Sequence, residues 1–206
     1  MLTIFVLWTV LVCFVDVQSI GPRGSDVGFA TLNGYVHTLT GENMTLYAIT
    51  DWLGLVPLGV ATAFAVFGLV QWIKRRSLLK VDRSILTLGA FYFVVMAVYV
   101  LFELVVINSR PVLIDGMLEA SYPSSTTMLV LCVVPTAMMQ LRARVKNVFC
   151  RWCIVLALSV FLAFMVTGRL LSGVHWVTDI IGGVFLSAGL VCVYSSISGL
   201  WNQKYE

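Results

Sequence analysis

Between residues 53 and 200 the chain holds five long apolar runs, and every break between them is short and polar. The runs cover residues 53–73, 84–107, 126–141, 152–167 and 178–200. In a bilayer core each backbone amide and carbonyl must find its partner within the protein, so uninterrupted apolar runs of this length read as membrane-spanning helices. A sixth run, residues 2–17, is shorter and has Asp16 near its end. No Lys or Arg precedes it, which favours a retained span over a signal peptide, although Val17-Gln18-Ser19 resembles a cleavage site. Only 11% of residues are charged, against about 25% in soluble domains. The expected fold is therefore all-α: a polytopic membrane protein with six transmembrane helices in one bundle. Residues 1–206 read as a single membrane-embedded domain.

The charges orient it. Ten of the thirteen Lys and Arg residues fall in the breaks at 74–83 and 142–151 or at Lys204, which marks those segments as cytoplasmic. A net charge of +3 distributed in such clusters is a topological signal and does not point to nucleic acid. Both termini are then expected inside, in the plasma membrane of a bacterium. Segments 18–52, 108–125 and 168–177 share the outer face. Within 18–52, Phe29, Leu32, Val36 and Leu39 recur at helical spacing, predicting a short interfacial helix, with His37 as an exposed interfacial histidine. Residues 53–200 form the core of five spans. The five cysteines all lie within or beside spans, which argues against an extracellular disulfide framework, and no Cys/His cluster suits a metal.

Three arginines remain outside: Arg23, Arg110 and Arg169. Two of them flank unusual polar residues. Arg169 is followed by His175 and Asp179, whose four-residue spacing puts them on one helical face. A carboxylate there can hold an imidazole in one tautomer and leave its other nitrogen free to attack. Arg110-Pro111 follows the third span, and Pro123-Ser124-Ser125 opens the fourth. Arginines to neutralise an oxyanion, a helix start to offer amide donors and a supported histidine are the parts of a metal-free phosphoryl-transfer site. The plain reading of the same residues is a capping aspartate, an interfacial histidine and a snorkelling arginine.

The order and spacing of these segments resemble the type-2 phosphatidic acid phosphatase superfamily of integral-membrane lipid phosphatases. Its pattern is Lys-x6-Arg-Pro, Pro-Ser-Gly-His and Ser-Arg-x5-His-x3-Asp, and the last of these is the specific one. The resemblance implies that His175 is a nucleophile forming a phosphohistidine and that Asp179 orients it. Arg110, Ser124, Ser125 and Arg169 would bind the substrate phosphate, with no cofactor and no metal. The chain departs from the pattern at Glu103 (for lysine), Ser125 (for glycine), Gly168 (for serine) and Thr126, where the family carries the histidine that protonates the leaving group. Glu103 precedes Arg110 by seven residues, two helical turns, so it is expected to share that arginine's face and to pair with it. A second role for Glu103 is a substitute acid.

The implied activity is a lipid phosphatase or phosphotransferase at the outer face. Without an acid, an alkoxide leaves badly, whereas phosphate leaving a pyrophosphate, with a last pKa near ~6, needs little help. Thr126 thus tilts the expected substrate toward polyprenyl pyrophosphates such as undecaprenyl pyrophosphate. The alternatives are a catalytically silent member that binds lipid phosphate or a membrane partner, and a small transporter, for which no inverted repeat is visible.

Overall fold

A computed structural model describes residues 1–203, the last four by backbone alone; Lys204, counted above with the inner cations, lies outside the described residues. The described residues form eight α-helices: α1 (Leu2–Phe14), α2 (Ala30–Thr40), α3 (Met44–Leu53), α4 (Leu55–Arg75), α5 (Arg83–Leu104), α6 (Ser125–Arg144), α7 (Val148–Leu171) and α8 (Val177–Gln203). Five segments are long and apolar enough to cross a membrane, and they contain α4, α5, α6, α7 and α8. The chain is thus an all-α integral membrane protein.

The sixth expected span is the short one. At 13 residues α1 is ~20 Å long, less than the ~30 Å hydrocarbon core. It packs against the first part of α8: Trp8 Nε1 donates to the Thr178 carbonyl at 3.1 Å, and Leu2 lies against Gly189. α1 therefore runs alongside the first half of α8.

The segment expected as one loop with one interfacial helix holds two helices, α2 and α3. Asp16 secures the first turn of α2, accepting from the Thr31 amide at 2.7 Å through its side chain and from Ala30 at 2.9 Å through its carbonyl. Asn33, fully buried, joins α2 to the start of α8 by donating to Thr178 Oγ1 at 2.9 Å. α3 leads into α4 across Gly54, which keeps helical backbone angles. The interruption falls there because Pro57 has no amide to offer the Leu53 carbonyl four residues back.

α6 is the central helix, burying nine residues from Thr127 to Gln140, whereas α4 buries only Pro57 and Gln71 and α7 only Met165, Gly168 and Arg169. The main core joins Phe5 and Val12 of α1 to Leu88, Phe91 and Val95 of α5, Met128 and Cys132 of α6 and Leu186 and Tyr194 of α8. Away from the His175 end, buried polar groups tie the bundle: Gln140 donates to Tyr194 Oη at 2.6 Å, and Gln71 donates to Asp82 at 2.8 Å. Burial pushes the Asp82 carboxyl up, but hydrogen bonds from Gln71 and Arg75 outweigh it and hold the group below its ordinary value.

α5 stops at Leu104, with Val105 already extended, six residues before Arg110-Pro111. The chain then doubles back on itself. Asp115 and Gly116 both take positive φ (49° and 75°) at its tip, the requirement of a tight hairpin turn. Arg110 N donates to the Glu119 carbonyl at 3.0 Å and Ser121 N to the Asn108 carbonyl at 2.8 Å. This hairpin brings Arg110 and Ser121 to the same end of the bundle as His175.

Candidate functional site

Arg169 occupies the last turn of α7 and is 1% exposed. The glycine before it, where the family pattern has serine, has a local cause: a Cβ at Gly168 would meet Thr50 Cγ2 of α3 at 2.8 Å. After α7 the chain turns at Gly173 (φ 68°), whose missing Cβ makes room for the Gly41 carbonyl. His175 follows, 4% exposed, just ahead of α8.

The two ring nitrogens of His175 have different partners. Arg169 Nη2 lies 3.1 Å from Nε2, and Ser121 Oγ lies 3.0 Å from Nδ1. Guanidinium can only donate, so Nε2 is the acceptor and the imidazole proton sits on Nδ1. Nδ1–H then donates to Ser121 Oγ, which donates to Asp179 Oδ2 at 2.5 Å. The aspartate therefore reaches the imidazole through Ser121, where the sequence reading expected a direct pair. Asp179, in the first turn of α8, also accepts from the Trp176 amide at 3.0 Å and from Asn108 Nδ2 at 3.3 Å. It caps the helix and anchors the relay at once, so the capping and the orienting readings coexist in one side chain. Burial, followed by the charges of Arg169 and Arg110, holds the His175 imidazole well below its ordinary pKa, against a smaller opposing effect of Ser121. It is neutral at neutral pH.

Arg110 is 8% exposed and its Nη1 has no hydrogen-bond partner. Its ion-pair partner is Glu119, at 3.2 Å from Nε, and not Glu103. The helical spacing expected to pair Glu103 with Arg110 does not exist, because α5 ends between them. Arg169 has its own carboxylate, Asp51 of α3, at 3.5 Å. Both guanidiniums lie on the Tyr47 ring, Arg110 at 5.8 Å and Arg169 at 5.1 Å from its centroid. Tyr47 thus holds two like charges near each other, a cation–π arrangement that partly offsets their repulsion.

A cavity of about 630 Å³ opens beside Arg110, lined also by Tyr47, Asp51, Glu103, Glu119, Ser125 and Thr126. Ser125 and Thr126 are in the first turn of α6, whose leading amides have no intrahelical acceptor and whose dipole favours an anion. Ser124 is different. It is fully buried, and its hydroxyl donates to Thr127 Oγ1 at 3.0 Å. Arg23 is elsewhere, bound to the Gly116 carbonyl at 2.8 Å. His37 is half-buried, edge-on to Trp176 and 3.9 Å from Glu42. Among the described residues no group of three or more His, Cys, Asp and Glu side chains could hold a metal ion.

Sequence reasoning missed Tyr47, Asp51, Asn108, Glu119 and Ser121. Only Asp115-Gly116, a hairpin-turn dipeptide, signalled that residues 108–121 fold back on themselves.

Residues 107–202 match the sequence profile of the PAP2 superfamily. A crystal structure of a transmembrane PAP2-type phosphatidylglycerolphosphate phosphatase from Bacillus subtilis is similar at a TM-score of 0.55 and 16% identity. That likeness covers 100% of this chain and 95% of that one, and it shows a shared fold. No curated protein matches the chain.

Proposed function

From the premise that residues 107–202 are a PAP2-superfamily segment in a chain with the fold of a PAP2-type membrane phosphatase, we propose that the protein is a metal-independent lipid phosphatase working through a phosphohistidine on His175. One observation carries the reading. Arg169 points a donor at Nε2 of a neutral imidazole whose opposite nitrogen is anchored through Ser121 to Asp179. A phosphate that takes over Arg169, beside Arg110, frees the Nε2 lone pair to attack phosphorus. As the P–N bond forms, positive charge grows on the ring, and the Ser121–Asp179 relay stabilises it. The α6 amides and both guanidiniums take the charge of the phosphoryl oxygens. Water then cleaves the P–N bond, releasing inorganic phosphate and neutral His175.

The site belongs at the outer face of a bacterial plasma membrane, because the opposite end of the bundle carries Lys74, Arg75, Arg76, Lys80, Arg83, Arg142, Arg144, Lys146 and Arg151. The same distribution supports a cytoplasmic C-terminal end of α8. The substrate is a lipid phosphate; with threonine in place of the family's acid, a polyprenyl pyrophosphate such as undecaprenyl pyrophosphate suits the site best. Phosphate release and transfer of ³²P from labelled lipid onto the purified protein test this. The His175→Ala variant should show neither. Binding of lipid phosphate without turnover by the unaltered protein would instead support a silent, lipid-binding member.

A further inference from the structure

We propose that Asp51 of α3 is the proton donor to the leaving group, doing from another helix what Thr126 cannot; this rests on the phosphohistidine phosphatase reading above, but not on its choice of a pyrophosphate, since a donor at Asp51 opens the site to monoesters as well. Three carboxylates line the cavity beside Thr126: Asp51, Glu103 and Glu119. Glu119 is committed to Arg110 at 3.2 Å, and among the described residues Glu103 forms no ion pair with an arginine. Asp51 alone faces the arginine that touches the nucleophile. Arg169 presents Nη2 to His175 Nε2 at 3.1 Å and Nη1 to Asp51 Oδ1 at 3.5 Å. One guanidinium edge thus has the attacking nitrogen at one end and a carboxylate at the other. A phosphate seated across that edge meets Nε2 on one side and Asp51 on the other, the disposition an in-line displacement requires.

Asp51 also occupies the right wall. Its side chain is 55% exposed toward the cavity. Three residues on, Gly54 sits against Thr126, whose Cγ2 would lie 3.3 Å from a Cβ there. The carboxylate therefore stands beside the position where the family's histidine would project. The groups facing it are Arg169 from α7, Arg110 and Glu119 from the hairpin, Glu103 from α5, and Tyr47 one turn earlier on α3. An arriving phosphate dianion takes over Arg169 and sets a like charge beside Asp51, which favours a proton on the carboxylate. In the first step Nε2 bonds to phosphorus, the bond from phosphorus to the lipid oxygen breaks, and the Asp51 proton goes to that oxygen. In the second step water attacks phosphorus, its proton returns to the Asp51 carboxylate, and the P–N bond breaks.

The test compares phosphatidate, whose leaving group is an alkoxide, with a polyprenyl pyrophosphate, whose leaving group is polyprenyl phosphate, using the full chain in proteoliposomes. Asp51→Asn should lower phosphatidate turnover about 10²–10³-fold more than pyrophosphate turnover, since only the alkoxide needs the proton. Adding Thr126→His to Asp51→Asn should restore phosphatidate turnover preferentially. Equal loss on both substrates would overturn the proposal, because Asp51 would then act only by holding Arg169. No loss, or a phosphatidate-selective loss in Glu103→Gln or Glu119→Gln instead, would overturn it as well. Failure of the underlying phosphatase reading looks different: the unaltered protein, like His175→Ala, would release phosphate from neither lipid.

Discussion

Replacing Ser121 with alanine removes one hydroxyl and breaks two hydrogen bonds. The hydroxyl accepts from His175 Nδ1 at 3.0 Å and donates to Asp179 Oδ2 at 2.5 Å, in a residue only 2% exposed. Water has little access to take its place, so the Nδ1–H is left without an acceptor and the carboxylate loses one of three donors. A hydrogen bond to a charged group contributes about 1.5–3 kcal/mol, and an orphaned buried donor costs about 1–3 kcal/mol. The part that matters for rate is the part that grows as the imidazole gains positive charge. If about 2–4 kcal/mol of transition-state stabilisation passes through Ser121, kcat should fall about 30- to 1000-fold. KM should change little, because the phosphate-facing arginines are untouched. The assay is initial-rate phosphate release over a substrate range, with Asp179→Asn and the double variant measured alongside. Asparagine still caps α8, so Asp179→Asn isolates the charge from the cap. Sharing one relay, the two changes should be strongly non-additive, the double variant being little slower than the worse single one. A kcat within threefold of normal for Ser121→Ala, or fully additive losses, would refute the relay.

Three further outcomes are expected. Arg169→Lys should cut kcat/KM roughly 10²-fold, because an ammonium cannot face Nε2 and Asp51 together while stacking on Tyr47; a loss under threefold in the same kinetic assay would contradict this. Because the folded state holds the His175 pKa well below ~6.5, its contribution to stability is lost as pH falls below ~6.5, and the acid limb of kcat/KM should likewise lie below ~6.5; a limb at or above that value in the pH profile would count against a neutral resting imidazole. Cys150 and Cys153, both exposed at the start of α7, should react with a membrane-impermeant maleimide only after permeabilisation, whereas labelling in intact cells would reverse the topology.

The spans and the Arg169–His175–Asp179 motif were legible because both are local properties. Apolar run length decides what can cross a bilayer, and three- to six-residue spacings decide which side chains can meet around a helix start. The expected Glu103–Arg110 pair failed because α5 ends at Leu104, so helical spacing does not carry on to Arg110, and Glu119 of the returning hairpin strand takes the place. The partners of the motif were beyond reach of spacing. Ser121 meets His175 across 54 residues of chain and Asp51 meets Arg169 across 118. Nothing in composition or period distinguishes Ser121 from Ser124, yet the hairpin turns one toward the imidazole and the α6 start turns the other toward Thr127. Likewise Tyr47 and Asp51 read as residues of a polar loop until α3 packs against α7 at Gly168, close enough to bring a carboxylate and an aromatic face onto a buried guanidinium. Which polar groups share a low-dielectric site is decided by backbone approach between distant segments, and that approach depends on packing volumes and turn geometry that no single stretch of sequence contains.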